Sequence, residues 1–209
     1  MWWSVIIAVV VGALVYAFWE HRTQSRHLTG LFERLALSHG GEVRAATTLA
    51  LPQLSFERDG RHYLIGAMAT AGSHVAGSAS QPGASGPFTF AELVMPVDTG
   101  RKLTVLRTDA IDRGAARLLR RASGSRLVTS GEESFDKAFG IKSTDAPFAH
   151  QVVDAALRQR LLDTPHQRLE VVLDGAKITV RVGDYAKSAE DLDEMIEIAS
   201  SLADNCSGL

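Results

Sequence analysis

Cysteine is almost missing from this chain: Cys206 is the one copy in 209 residues. An intramolecular disulfide is therefore excluded, and the framework of a small stapled scaffold with it. The seven histidines, at 21, 27, 39, 62, 74, 150 and 166, form neither H-x-H nor H-E-x-x-H and join no Cys/His cluster. Nothing in that spacing predicts a metal site. There is no G-x-S-x-G elbow, and no S-x-x-K tetrad supported by partner motifs, so no serine nucleophile is expected. The Gly/Ala/Ser/Pro-rich stretch 71–87 has no G-x-x-x-x-G-K-[ST]. It reads as a surface loop rather than a phosphate cradle, and no cofactor is expected. A net charge of -2 gives no global attraction to nucleic acid. Cys206-Ser207-Gly208-Leu209 has the length of a prenylation box, but serine and glycine fill its aliphatic positions, so 206–209 reads as a tail.

Charge is also missing from one long run. Trp2 to Trp19 holds no Asp, Glu, Lys or Arg. As a helix it spans about 27 Å, close to the ~30 Å apolar core of a bilayer. Trp2 and Trp3 at one end, with Tyr16 and Trp19 at the other, resemble interfacial belts. The expectation is a single-pass transmembrane anchor over 1–20. Cleavage as a signal peptide is disfavoured: no basic region precedes Trp2, and the run closes on Tyr16-Ala17-Phe18-Trp19 instead of small residues. Arg22, Arg26 and Arg34 outnumber Glu20 and Glu33 beyond the run, which predicts a cytoplasmic placement for the following domain. Ala8-xxx-Gly12 and Ala13-xxx-Ala17 predict a homo-oligomer through the same helix. Membrane lipid is the partner expected for the anchor.

Beyond the run, 21–40 reads as a juxtamembrane helix with Leu28, Leu31, Phe32 and Leu35 at helical spacing, stopped by Gly40-Gly41. A domain over 41–205 follows. Strands are expected at 53–58 and 61–68 around Asp59-Gly60, at 88–97 and 102–107, at 127–129, and on both sides of Asp174-Gly175. Helices are expected at 111–121, at 147–162, and after the N-cap Ser188 with Asp191 in a capping-box position. Strands joined by tight turns imply antiparallel pairing. The class is therefore α+β, an N-terminal transmembrane helix followed by antiparallel hairpins packed against helices.

The uneven feature is charge distribution. From Arg101 to Arg126 there are eight basic and two acidic residues; from Asp184 to Asp204 there are seven acidic residues and one lysine. The two surfaces are expected to face each other or water. A sharper reading has Arg113, Arg117, Arg120 and Arg121 touching anionic lipid headgroups. Glu132, Glu133 and Asp136, near Ser134, are the carboxylates available for acid–base work or cation binding.

Those carboxylates lie in Gly131-Glu132-Glu133-Ser134-Phe135-Asp136-Lys137-Ala138-Phe139. The stretch resembles a G-[DE]-x-x-F-D-x-x-F signature of uncharacterised bacterial single-pass membrane-anchored proteins. That group has no assigned activity, so the resemblance carries over no functional residue. Gly131, Phe135, Asp136 and Phe139 read as a structural motif, with the two rings meeting at i and i+4. The expected function is a membrane-tethered, non-enzymatic binding or scaffold domain. The alternative is a membrane-bound enzyme with an unrecognised carboxylate-based site.

Overall fold

The computed structural model describes residues 2–47, 50–68, 87–108 and 126–208. Its first element, α1, is one unbroken helix from Trp2 to His39. Only its second half is seated: Leu28, Leu31, Phe32 and Leu35 are buried. Gly40 and Gly41 end it with φ of +72° and +134°. These are left-handed angles that most residues resist. A Cβ on Gly41 would stand 2.5 Å from the Ser55 carbonyl oxygen, so this exit also lets the chain press against the next strands.

Among the described residues no helix is long and apolar enough to cross a membrane. That overturns the transmembrane anchor expected over 1–20 and the single-pass placement. Spanning requires about 20 consecutive apolar residues. Here α1 instead continues past Trp19 into a polar stretch with Arg22, Arg26, Glu33 and Arg34, and beds onto the sheet.

The strands are β1 (Glu42–Arg44), β2 (Gln53–Arg58), β3 (Arg61–Met68), β4 (Phe88–Val94), β5 (Lys102–Arg107), β6 (Arg126–Val128), β7 (Phe139–Ser143), β8 (Leu169–Asp174) and β9 (Lys177–Gly183). The antiparallel hairpins join into one nine-stranded sheet in the order β1-β2-β3-β4-β9-β8-β5-β7-β6. The last hairpin in sequence, β8–β9, lies at the centre, between β4 and β5. Its alternation explains the position: Leu169, Val171 and Leu173 with Ile178, Val180 and Val182 offer an all-aliphatic face, fully buried.

Among the described residues four further helices are α2 (Glu133–Ala138), α3 (Ala146–Val152), α4 (Ala155–Asp163) and α5 (Ala189–Ser207). The single helix expected over 147–162 is two. Asp145 Oδ1 accepts from Phe148 N–H at 3.1 Å and Asp154 Oδ1 accepts from Leu157 N–H at 2.8 Å, so each begins on its own cap. Ser188 and Asp191 form a full capping box on α5. Helix α5 packs Leu192, Met195, Ile196, Ala199 and Leu202 over β4 and β9, while α1 covers β1 and β2. Helices α2, α3 and α4 complete the layer over β6, β7 and α5.

Candidate functional site

The motif residues come first. Gly131 takes φ +82°, the left-handed turn that opens α2. Phe135 and Phe139 are buried and stack with centroids 5.0 Å apart. The Arg107 guanidinium lies 5.4 Å above the Phe139 ring. Asp136 Oδ1 accepts from the Ser130 backbone N–H at 2.8 Å. All four residues therefore build the α2–β7 corner. None presents a free reactive group.

The neighbouring carboxylates do not converge. Glu132 accepts from the Ser134 hydroxyl at 2.8 Å and from Arg158 Nε at 3.0 Å. The Ser134 bond first, then the Arg158 bond, holds its carboxyl below the ordinary range. Glu133 pairs with Lys137 one turn on, at 2.8 Å. Among the described residues no histidine joins them. Among the described residues no group of three or more His, Cys, Asp or Glu side chains is placed to hold a metal ion.

The histidines are dispersed as well. His39 Nε2 meets Asp193 Oδ1 at 2.7 Å and its ring stacks on Phe56. His166 Nε2 lies 3.7 Å from Glu194 Oε2, beyond hydrogen-bond reach. His21 faces the Thr47 carbonyl at 3.3 Å. His62 and its Nδ1 face the Tyr63 carbonyl at 3.2 Å. Burial pushes the Cys206 thiol up to about 11, which leaves it a poor nucleophile.

The acidic helix α5 finds basic partners from several elements. Glu197 faces Arg58 and Arg160, at 3.7 and 3.6 Å, and Asp204 pairs with Arg61 at 2.7 Å. Two of its acids are thus met by β2, β3 and α4. Arg113, Arg117, Arg120 and Arg121 lie outside the described residues, as do most of loop 71–87 and His74.

Two features escaped sequence reasoning. On the sheet face away from the described helices, Arg181 Nη1 lies 3.4 Å from Glu170 Oε2, and Lys177 Nζ lies 2.7 Å from Glu92. Glu170 Oε1 is buried and has no hydrogen-bond partner. Burial raises the Glu170 carboxyl above its ordinary value, and the opposing pull of Arg181 does not cancel it. The signal was present, since these charged residues sit at the alternate positions of otherwise aliphatic strands.

The second feature is the outer half of α1. Ile6, Ile7, Val9, Val10, Val11, Val15, Tyr16 and Trp19 are all exposed, Val9 to 66% and Trp19 to 64%. At about 100° per residue they point in every direction. Val11, Val15 and Trp19 share one side, Val9 and Tyr16 a second, Ile6 and Val10 a third. Elsewhere among the described residues large exposed apolar side chains are few and separate: Leu37, Val94, Val97 and Leu127. Contiguous exposed apolar surface marks a contact site, whereas scattered single residues do not.

No family model matches the chain, and no curated protein matches it. Among solved structures it is similar to the crystal structure of the mycobacterial trehalose monomycolate transport factor A, TtfA. The TM-score is 0.57 at 13% identity, over 88% of this chain and 94% of that one. At that identity the likeness is one of fold alone.

Proposed function

We propose that this protein is a non-enzymatic binding or scaffold domain that uses the outer half of α1 to engage a partner. The observation that carries this reading is the exposure of eight large apolar side chains between Ile6 and Trp19, on a helix whose other half is buried against the sheet. Leaving that much apolar surface in water costs about 25 cal/mol per Å², so covering it supplies a driving force for association. The motif carboxylates add support, because Glu132, Glu133 and Asp136 are each engaged by a different local partner and do not converge on one site. The similar crystal structure is that of a transport factor, and an accessory role of that general kind fits a binding domain better than a catalyst.

The test is site-specific photo-crosslinking of the full chain in its native cells, with the reactive side chain at Val11. A single reproducible adduct is expected, lost when Ile7 and Val15 are replaced by serine. If the adducts are diffuse and unchanged by those replacements, the binding role of this helix is wrong.

A further inference from the structure

Which kind of partner fits follows from how the apolar side chains are distributed and from what lies beside them; this step rests on the binding role just proposed. A helix that is apolar along one stripe needs one neighbour. The outer half of α1 is apolar on all its described sides, so a single flat surface or one paired helix would leave the rest of it wet. The occupant must offer a groove, with apolar walls on more than one side. The segment Trp2–Trp19 also holds no Asp, Glu, Lys or Arg, so those walls meet no charge along the run. Immediately beyond Trp19 the character changes: Glu20 comes first, and basic residues then outnumber it. Arg22 and Arg26 follow at about one and two turns, and both are exposed. Neither makes an ion pair among the described residues. His27 beside them is exposed too. Apolar rod and basic collar form one continuous surface.

We infer that α1 inserts between apolar helices of a second polypeptide whose groove is rimmed by carboxylates at the end that meets Arg22 and Arg26. The groove walls supply the association energy. The acidic rim sets direction, because a helix inserted backwards would place both arginines away from it. Opposite charges across such a rim act mainly on specificity and on the rate of encounter. A second copy of this chain fits poorly: parallel association sets the arginine collars against each other, and antiparallel association offers them no carboxylate within the charge-free run.

The test uses the full-length chain and two synthetic helical peptides as probes, each built from leucine and alanine and about as long as the charge-free run. They differ only at one end, which carries either two glutamates or two lysines. Binding is read by anisotropy of a dye on the peptide. The expected result is that the glutamate-ended peptide binds about tenfold more tightly at low salt, the gap closing as salt screens the rim. More than one peptide is expected per chain, as all-round burial requires. Replacing Arg22→Glu and Arg26→Glu should reverse the preference. Equal affinity for both peptides, or one peptide per chain, overturns this inference and leaves the binding role standing. Binding of neither peptide overturns both. Preferential uptake by phosphatidylserine vesicles over the glutamate-ended peptide also overturns the inference, because a lipid surface would then be the favoured occupant.

Discussion

His39 closes α1 onto α5: its Nε2 stands 2.7 Å from Asp193 Oδ1 while its ring stacks on Phe56, centroids 5.3 Å apart. Phe56 in turn stacks on Tyr63, whose hydroxyl lies 2.9 Å from Ser200 Oγ, two turns further along α5. Three stacked rings with a polar contact to α5 at each end thus fix the seated half of α1, which in turn orients its exposed half.

Removal of this clasp separates packing from charge. Asp193 is 46% exposed, so Asp193→Asn should cost only about 0–1 kcal/mol, because solvent screens the pair. His39→Ala removes the ring stack as well and should cost about 1 kcal/mol more. Urea denaturation of both variants checks the order. Equal losses would mean that the stack contributes nothing.

Gly41 should tolerate no side chain. Its φ of +134° is strained for any other residue, and a Cβ would meet the Ser55 carbonyl oxygen at 2.5 Å and Phe56 Cβ at 2.8 Å. The obstacles belong to the backbone and a Cβ, which cannot swing aside. Gly41→Ala is expected to cost about 2–4 kcal/mol, whereas Gly60→Ala, in open space at the β2–β3 turn, should lose only about 1 kcal/mol to its positive φ. The urea midpoints of the two variants test this contrast.

The same geometry explains what the sequence makes legible. Asp59-Gly60 and Asp174-Gly175 sit at turns because both need φ above zero at glycine, a local requirement. The Ser188–Asp191 box is equally local. The α+β composition is consistent with such signals. Sheet order is not local. Nothing in residues 169–183 says that this hairpin enters between β4 and β5; that follows from long-range pairing such as Ala91 with Val180 and Val105 with Val171. The break between α3 and α4 was hidden by continuous apolar spacing, although Asp154 carried the cap that makes it. The transmembrane reading failed in another way. It weighed the run to Trp19 as a separate element, while the helix passes through it to His39. For the candidate site, lack of charge could be read from the residues, but the exposure of the eight described apolar side chains, Ile6 and Trp19 among them, could not.

The α2–β7 corner offers a test of a structural role against a functional one. Phe135 is fully buried against Phe139. Phe135→Ala should destabilise the fold by about 3–5 kcal/mol, as large-to-small core changes do. Asp136→Asn keeps the Oδ1 that accepts from Ser130 N–H and should be far milder. Thermal unfolding of the two variants gives the comparison, and the peptide-binding assay gives the second readout. A Phe135→Leu variant that stays folded but loses peptide binding would show that this corner acts in recognition after all.

Glu170 predicts a pH dependence of unusual sign. Burial raises its carboxyl above the ordinary value of 4.5 in the folded chain, so the native state holds a proton that the unfolded state has already released. Stability then falls as pH rises from about that ordinary value through the folded one, because the native state binds more protons across the window. Most carboxylates in ion pairs act the other way, losing stability as the solution is acidified. Glu170→Gln deletes the Glu170 component while keeping the shape and a hydrogen-bond acceptor for Arg181. The measurement is urea stability of wild type and variant at intervals from pH 4 to 7. The difference between them should shift steadily in favour of the glutamine variant as pH rises. A difference that is flat across the range would mean that Glu170 is solvated in the folded protein, and that the buried, unpartnered Oε1 reaches water.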